Sequence, residues 1–368
     1  MRCARAWVEI NLDALAHNVK TIKAMLPPKT DLMSVVKADA YGHGAVTVAR
    51  VALNAGATWL GVATVPEGIE LRQAEIDAPI LVMGSVNDPA EIRAIAQWNL
   101  QPTIVNPQQA IVFSKTLSEE LPEELPEQPT KRLPVHLKLD TGMSRLGFSW
   151  QKSVEFAQRV KQLPTLEAVS VYSHLATADS PDPTTMMLQH KRFESAIADL
   201  TTAELLPPRL HLANSAATLA APNLHYDMVR VGLATYGLYP APHLRPSAED
   251  SNDASKALLQ PVLEVKARLT HVKDIAAGDG VSYSHKFVAS QPMRIAIVGI
   301  GFAEGVPRIL SNQLEVVLKG QRVRQLGAIT MDQLMLDVSA LKDVLPGDVV
   351  TLLGQASQHI LSADQWAD

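Results

Sequence analysis

The sequence predicts an α/β fold, a (β/α)8 barrel of the TIM type followed by a mainly β C-terminal domain. Two observations predict the barrel: short β-branched or apolar runs alternate with helical periodicity from about residue 12 to residue 240, and eight such runs occur. Eight parallel strands with intervening helices form a closed barrel, whose chemistry lies on loops at the C-terminal ends of the strands. The runs are Leu32 to Lys37, Thr58 to Thr64, Ile80 to Gly84, Gln101 to Val105, Val135 to Asp140, Ala168 to His174, Arg209 to Ala213 and Met228 to Thr235.

An open, doubly wound sheet is the alternative interpretation of the same alternation. A dinucleotide-binding sheet of that kind carries a Gly-rich turn after its first strand. Here the first run is followed by Lys37-Ala38-Asp39-Ala40-Tyr41-Gly42-His43-Gly44, which lacks that turn. The barrel is therefore favoured.

A third observation, a change of composition after Tyr239, predicts a second domain. Prolines and the polar stretch 247–256 predict a linker over residues 241–258, which leaves a barrel over 12–240 and a second domain over 259–368. Residues 1–11 are a candidate addition to that domain. Its apolar runs show little helical periodicity and predict strands. They are Val262 to Val272, Met293 to Val298, Leu314 to Leu318 and Val349 to Leu353.

The composition excludes several classes of protein. With 47% apolar and 19% charged residues the chain can bury a large core, so it is not mostly disordered. Its net charge of -5, without a basic block, argues against a nucleic-acid partner. The single cysteine, Cys3, excludes an intrachain disulfide and fits a reducing cytoplasm. Because no apolar stretch has the length of a membrane span, we expect a soluble, cytoplasmic protein without a membrane partner.

Lys37 closes the first run and is the first candidate for chemistry, because it lies at the catalytic rim of the predicted barrel. A lone lysine at a strand end more often extends its amine to solvent. A lysine that is partly desolvated near other cations has a lowered pKa, however, and can form a Schiff base with an aldehyde cofactor and later act as a base.

The fifth run has a polar face that must point into the barrel. In Val135-His136-Leu137-Lys138-Leu139-Asp140 the period of two separates apolar from polar residues, and the apolar face meets the helices. Lys138 would then be a costly buried charge unless a carboxylate such as Asp140 pairs with it or chemistry neutralises it. Arg145 follows in a turn of small residues and is a candidate anion clamp.

The remaining candidates lie at the last three strand ends. His174 ends the sixth run, His211 and Ser215 belong to the seventh strand end, and Arg230 with Gly232 lies in the eighth. Singly, these are compatible with core histidines, a helix cap and a structural ion pair. Together they describe a pocket for an anionic, aromatic cofactor, with Ser215 and the Gly232 backbone suited to a phosphate.

In these motifs the chain resembles the bacterial alanine racemases, which are pyridoxal-phosphate enzymes. The resemblance covers nearly the whole chain, and its most specific part is the lysine motif at 36–44. The other matching segments are 6–12, 138–147, 172–174, 211–216, 228–238, 281–284, 301–308 and 331–333.

The resemblance implies a racemase that interconverts L-alanine and D-alanine through an aldimine of pyridoxal 5'-phosphate and supplies D-alanine for peptidoglycan. It implies that Lys37 holds the cofactor and that His174 packs against its ring. Tyr41 and Ser215, with the Gly232 backbone, would hold the phosphate.

Four further residues acquire implied roles around the cofactor. Arg145 would donate to the phenolic oxygen and help to place the substrate carboxylate, and Lys138 would be carbamylated and orient Arg145. Arg230 would donate to the pyridine nitrogen, supported by His211. Because a guanidinium keeps its proton, that nitrogen would stay unprotonated, which favours simple proton return over transamination.

The resemblance also implies a two-base mechanism in a homodimer. Lys37 would exchange the α-proton of the D-enantiomer and Tyr283 that of the L-enantiomer. Tyr283 and the substrate-binding Met331 would come from the other subunit, so a monomer would be inactive.

Three departures from the family pattern bear on specificity. Phe302 stands where a tyrosine is common, and Ala328 and Thr330 stand where many relatives have Arg and Cys, although Asp179 and Arg308 are retained. A wider or less charged substrate path would follow. A racemase of broader specificity, acting on serine or other amino acids, therefore stays open as an alternative.

Two other functions stay open beside it, a non-catalytic pyridoxal-phosphate carrier and a decarboxylase.

The resemblance further implies a segment beyond Asp368 with another phosphate-contacting tyrosine, so the sequence is either a short form or lacks that segment.

Overall fold

The structure, a computed structural model, describes residues 4–119, 132–246 and 258–367. Contacts divide the chain into two units, Leu12–Gln260 and a second unit that combines the N-terminal strand with the residues from Pro261 onward. Most of the predicted linker, residues 247–257, lies outside the described residues, as do Cys3 and Asp368.

The strands are numbered along the chain. They are β1 (Ala6–Ile10), β2 (Asp31–Val35), β3 (Trp59–Val62), β4 (Ile80–Ser85), β5 (Gln101–Ile104), β6 (Leu133–Asp140), β7 (Phe148–Ser149), β8 (Leu166–Tyr172), β9 (Leu210–His211), β10 (Met228–Val231), β11 (Leu263–Ile275), β12 (Gly280–Val281), β13 (Phe287–Val288), β14 (Met293–Val298), β15 (Glu315–Leu318), β16 (Gln321–Leu326), β17 (Leu334–Asp337), β18 (Val349–Ala356) and β19 (His359–Leu361).

The α-helices follow the same numbering. They are α1 (Leu12–Met25), α2 (Lys37–Gly42), α3 (Ala45–Asn54), α4 (Val65–Gln73), α5 (Pro89–Gln97), α6 (Pro107–Ser118), α7 (Ser153–Lys161), α8 (Thr184–Thr202), α9 (Ser215–Ala220) and α10 (Asp364–Ala367). None of these helices has the length and apolar character that a bilayer crossing requires.

The first unit is a parallel barrel. Its strands pair in the order β10, β2, β3, β4, β5, β6, β8 and β9, and β7 pairs with β6 outside this path. Two backbone hydrogen bonds connect the last two strand segments, from the Asp227 amide to the Leu210 carbonyl (3.1 Å) and from the Arg230 amide to the Ala213 carbonyl (3.0 Å). The predicted barrel is confirmed, and the open sheet is excluded.

Local sequence explains where the helices begin. Proline is strongly disfavoured inside a helix but favoured in its first turn, and polar side chains satisfy the free amides there. The Asp88 carboxylate accepts from the amides of Ala90 and Glu91 at the start of α5, and the Asn106 side chain accepts from Gln109 at the start of α6. Each cap lies two or three residues after the end of a barrel strand, so the connections at this rim are short.

The second unit is mainly antiparallel β-sheet. Its strands pair in the order β1, β11, β14, β17, β16, β15, β18 and β19, and β11 also pairs with β18. Buried valines and leucines, among them Val316, Leu336 and Leu352, form its core. The predicted mainly β character is confirmed, and the four predicted runs lie on β11, β14, β15 and β18.

Candidate active site

A cavity of about 470 Å³ opens at the C-terminal ends of the barrel strands, and every residue that lines it belongs to the barrel unit. Eight of the residues selected from the sequence line this cavity. They are Lys37, Tyr41, Lys138, Arg145, His174, Ser215, Arg230 and Gly232. His211 is fully buried beside Arg230.

Tyr283 and Met331 lie in the second unit and are not among the residues that line the cavity. Their exposed fractions are 67% and 61%. Asp179 lines the cavity, whereas Ala328 is fully buried in the second unit and its carbonyl accepts a hydrogen bond from the Ser282 hydroxyl at 2.7 Å. The wider substrate path stays a prediction.

The backbone after Lys37 forms a left-handed turn. The φ angles of Ala38, Asp39, Ala40 and Tyr41 are 52°, 51°, 54° and 56°. For L-residues this conformation costs roughly 1–2 kcal/mol each, so surrounding contacts must hold it. The turn brings the side chains of both Lys37 and Tyr41 to the cavity.

Glu67, at the third position of α4, is one of those contacts. One carboxylate oxygen accepts from the Ala38 amide at 2.7 Å, and the other accepts from the amides of Ala63 (2.7 Å) and Thr64 (3.1 Å). The same side chain therefore caps α4 and anchors the residue next to Lys37. A Glu three residues after Thr64 is a capping-box signal, but its second role could not be expected from that signal.

Ser215 and Gly232 form one side of the cavity. Asn214 caps α9 by accepting from the Ala217 amide (3.1 Å), which leaves Ser215 as the first helical residue. The Ser215 hydroxyl oxygen accepts from the Gly232 amide at 3.0 Å. Its own proton is thus available for an anion in the cavity. A Cβ at position 232 would lie 2.5 Å from the Tyr41 hydroxyl, so only glycine allows this approach.

Lys138 is buried inside the barrel without a carboxylate partner within 4 Å in the described part of the chain. The Asp140 carboxylate, proposed as its partner, instead accepts from the amides of Gly142 (2.9 Å) and Ser144 (3.1 Å). Burial, with the positive charge of Arg230, lowers the pKa of the Lys138 amine to about 8. The neutral fraction of this amine near pH 7 is therefore larger than that of an exposed lysine.

Arg230 also lacks the carboxylate that a structural ion pair would require, among the described residues. One terminal nitrogen, Nη1, donates to Nδ1 of His211 at 3.0 Å. The other, Nη2, donates to the Ser173 carbonyl (2.8 Å) and contacts Nδ1 of His174 at 3.2 Å. Burial lowers the pKa of Arg230 to about 10, so the group stays charged at neutral pH.

His174 is held neutral by its surroundings. Burial, with the charge of Arg230, lowers the pKa of His174 to about 3. Because a guanidinium can only donate, Nδ1 of His174 accepts and its proton lies on Nε2. His174 thus provides a flat, uncharged ring at the cavity wall.

Tyr172 is a site residue that the sequence did not single out. It lines the cavity and stacks on His211, with ring centroids 4.5 Å apart and planes 6° apart. Its ring also faces Lys138 Nζ at 5.2 Å and Arg230 Cζ at 5.1 Å. Its place two residues before His174 in the predicted sixth run was the available signal, since residues i and i+2 of a strand share a face.

The cavity is therefore suited to an anionic ring compound with a reactive carbonyl. It offers a lysine amine for a carbonyl carbon, a serine hydroxyl and a tyrosine hydroxyl for an anion, and a buried guanidinium for a ring acceptor. No cluster of His, Cys, Asp and Glu that could hold a metal occurs among the described residues.

Comparison with known proteins agrees with this chemistry. Residues 10–240 match the family description "Alanine racemase, N-terminal domain", and residues 262–368 match "Alanine racemase, C-terminal domain". The alanine racemase of Nostoc sp. is 61% identical over 364 residues, which cover 99% of this chain and 90% of that protein. That of Synechocystis sp. is 55% identical over 363 residues, with 99% and 93% covered.

Solved structures show the same likeness over both units. The alanine racemase of a Streptomyces lavendulae that produces D-cycloserine has a TM-score of 0.87 and 34% identity, covering 100% of this chain and 92% of that one. The Bacillus anthracis enzyme, solved with bound L-Ala-P, has a TM-score of 0.85 and 34% identity, covering 99% and 89%.

Proposed function

The chain belongs to the alanine racemase family, and we propose that it carries out its isomerase activity on alanine with pyridoxal 5'-phosphate held on Lys37. The observation that carries this proposal is the cavity that presents Lys37 together with two hydroxyls and a buried Arg230 that has no carboxylate partner among the described residues. A supply of D-alanine for peptidoglycan follows from this activity.

The residues of the cavity fit that cofactor. The Ser215 and Tyr41 hydroxyls suit its phosphate, the neutral His174 ring suits its pyridine face, and Arg230 suits its ring nitrogen. The absence of a Cβ at Gly232 leaves room for the Tyr41 hydroxyl on the phosphate side. When bound, the cofactor supplies an electron sink that weakens the Cα–H bond of alanine.

Arg230 limits how strong that sink becomes. It stays charged at neutral pH and donates a hydrogen bond without transferring its proton. Arg230 would thereby leave the ring nitrogen of the bound cofactor unprotonated, which would favour return of the proton to Cα over transamination. Arg145 also lines the cavity and would receive the substrate carboxylate.

Two bases on opposite faces of Cα complete the mechanism. The Lys37 amine takes and returns the proton on the D face, and the Tyr283 phenolic oxygen does so on the L face. Tyr283 is 67% exposed in a different unit from the cavity lining. This exposure supports a homodimer in which Tyr283 and Met331 serve the partner's cavity.

Lys138 is a further part of the proposal. Its neutral amine would attack carbon dioxide, forming an N–C bond and releasing one proton, to give a carbamate that carries negative charge toward Arg145. Carbon-13 bicarbonate should then give a carbamate signal that is missing in Lys138→Arg. Equal spectra for both proteins would contradict the carbamate on Lys138. The cytoplasmic location indicated by the composition stays a prediction.

Mixing two inactive variants tests the shared site. Lys37→Ala lacks one base and Tyr283→Phe lacks the other, so each alone should be inactive. After the two are unfolded and refolded together, half of the dimers are hybrids, and each hybrid contains one cavity with both Lys37 and Tyr283. About a quarter of the wild-type racemisation rate should return.

The control separates sharing from simple refolding. Each variant refolded alone should stay inactive while it still forms dimers. If hybrids form but remain inactive, Tyr283 does not act on the partner's cavity. If neither single variant loses activity, the two-base assignment is wrong.

A further inference from the structure

A continuous chain of hydrogen bonds runs from Arg230 through the interior of the barrel to its opposite end. Arg230 Nη1 contacts His211 Nδ1 at 3.0 Å, and His211 Nε2 contacts the Ser170 hydroxyl at 3.0 Å. That hydroxyl contacts His136 Nδ1 at 2.6 Å, and His136 Nε2 contacts the Gln101 side-chain oxygen at 2.9 Å. These five residues are called the relay below.

The relay connects five neighbouring elements of the barrel. Gln101 is the first residue of β5 and is partly exposed, whereas Ser170, His136 and His211 are fully buried. His211 ends β9, so the relay climbs from the start of one strand to the catalytic end of another. It joins the cavity to solvent-accessible structure at the opposite rim.

The direction of every hydrogen bond in the relay follows from its Arg230 end. A guanidinium has only donors, so His211 accepts on Nδ1 and carries its proton on Nε2. That proton is donated to the Ser170 oxygen, which leaves the Ser170 proton for Nδ1 of His136. His136 then carries its proton on Nε2 and donates to the Gln101 carbonyl oxygen.

Neighbouring groups hold both imidazoles neutral and in place. Burial, with the charge of Arg209, lowers the pKa of His136 to about 3, and burial with the charge of Arg230 lowers that of His211 well below its usual range. Tyr172 stacks on His211 at 4.5 Å, and the Trp59 ring meets His136 edge-on at 5.5 Å. A neutral ring of fixed orientation donates from one nitrogen and accepts on the other, so the direction of donation at one nitrogen sets the direction at the other.

We propose that Ser170, His136 and Gln101 are positioning residues that keep His211 an acceptor toward Arg230 and so fix the Nη1 nitrogen at the cavity. Nη1 carries a second proton besides the one that it donates to His211. By holding Nη1 in place, the relay also fixes the position of that second proton. The proposal rests on the proposed function only in one respect, that the group which Arg230 meets in the cavity is the ring nitrogen of pyridoxal phosphate. The relay itself is a property of the free chain.

Reversing the polarity of the Gln101 end is the sharpest test. In Gln101→Lys the terminal acceptor becomes a donor, so His136 should move its proton to Nδ1 and donate to Ser170. The Ser170 hydroxyl would then donate to Nε2 of His211. His211 would carry its proton on Nδ1, and this N–H would face the N–H donor of Arg230. Gln101→Glu, which keeps an acceptor of the same length, is the matched control.

Ring nitrogen-15 shifts report the two tautomers directly, in full-length protein labelled with [15N]histidine, with and without pyridoxal phosphate. Wild type and Gln101→Glu should show both rings protonated on Nε2. Gln101→Lys should show His136 protonated on Nδ1 and His211 changed, with cofactor affinity lower by about 10-fold. Resonances are assigned with His136→Gln and His211→Gln.

A second substitution tests whether Ser170 transmits the effect. In the double variant Ser170→Ala, Gln101→Lys, the tautomer of His136 should change. The tautomer of His211 should be the same as in the single variant Ser170→Ala. If His136 and His211 keep their tautomers in folded Gln101→Lys, the relay is wrong. It is also wrong if Gln101→Lys changes His211 equally in the presence of Ser170 and in Ser170→Ala.

The two proposals fail in distinguishable ways. If the wild type does not racemise alanine but the tautomers respond as described, the relay stands and the proposed function fails. If the wild type racemises alanine and the tautomers do not respond, the proposed function stands and the relay is wrong.

Discussion

At position 232 a missing side chain decides how close Tyr41 can come. A Cβ there would lie 2.5 Å from the Tyr41 hydroxyl and 3.2 Å from Cζ. Gly232→Ala should therefore displace Tyr41 and weaken pyridoxal-phosphate binding by about 10-fold, a cost of about 1.4 kcal/mol. Titration of the cofactor by visible absorbance measures this change.

Tyr41→Phe provides the control for that substitution. Because the closest atom would be the hydroxyl, Gly232→Ala should cost less affinity in a Tyr41→Phe background than in the wild type. Strictly additive losses in the double variant would show that the two residues do not interact and would reject this account of Gly232.

At the same scale, sequence predicted where side chains lie better than what they contact. The period of two in β6 placed Lys138 inside the barrel, and the structure agrees. The choice between an ion pair with Asp140 and chemical neutralisation of the lysine stayed open, because a carboxylate two residues away can serve either the lysine or the local amides. The structure shows that Asp140 serves the amides.

Among the elements, the left-handed turn after Lys37 depends on Glu67. Glu67→Ala removes the acceptor of three amides, those of Ala38, Ala63 and Thr64, and should cost about 1–3 kcal/mol of unfolding free energy. Binding of pyridoxal phosphate should weaken as well, since the backbone beside Lys37 loses its anchor. Urea unfolding and cofactor titration check both effects.

Glu70→Gln is the matched control, because this exposed residue lies on the same helix. It should leave stability within about 0.5 kcal/mol of the wild type. Equal behaviour of Glu67→Ala and Glu70→Gln would contradict the anchoring role.

The turn also shows where prediction from sequence ends at this scale. Strands and helix caps follow from hydrophobic period and from residues such as Asp88 and Asn106. Nothing in Ala38, Asp39, Ala40 and Tyr41 favours four successive positive φ angles, which tertiary hydrogen bonds impose. The left-handed conformation of this segment was therefore not predicted from the sequence.

For the molecule as a whole, buried neutral histidines predict a loss of stability in acid. The pKa values of His136 and His174 in the folded chain are about 3, below the usual 6.5, because burial disfavours their charged forms. Between these values the unfolded chain binds protons that the folded chain does not. Stability is thus fully present above about pH 6.5 and decreases as the pH falls toward 3.

The size of this effect is measurable. Each of the two histidines should remove about 1.4 kcal/mol per pH unit below 6.5, so the two together remove about 4 kcal/mol by pH 5, and His211, whose pKa burial also lowers, adds to this loss. Urea unfolding at pH 7 and pH 5 tests this. His136→Gln should reduce the slope of unfolding free energy against pH by the contribution of one proton. His243→Gln, at an exposed position, should leave that slope unchanged. An unchanged slope in His136→Gln would contradict the account.

Sequence predicted the architecture of both units because it depends on patterns summed over many residues. Eight apolar runs with helical segments between them, and no Gly-rich turn after the first run, favour a barrel, whichever pairs of side chains meet inside it. The relay through Ser170 and Gln101 was not predicted, because its members are far apart in the chain and meet only when the barrel closes.

The central claim is that this chain racemises alanine with two bases. The most direct measurement incubates the protein with pyridoxal phosphate and L-alanine in heavy water and follows α-proton loss and optical rotation together. We predict that both are lost in parallel, because one base removes the proton and the other returns a deuteron to the opposite face. Loss of the α-proton with retained rotation would contradict the two-base mechanism, and no exchange with the cofactor bound would contradict the racemase itself.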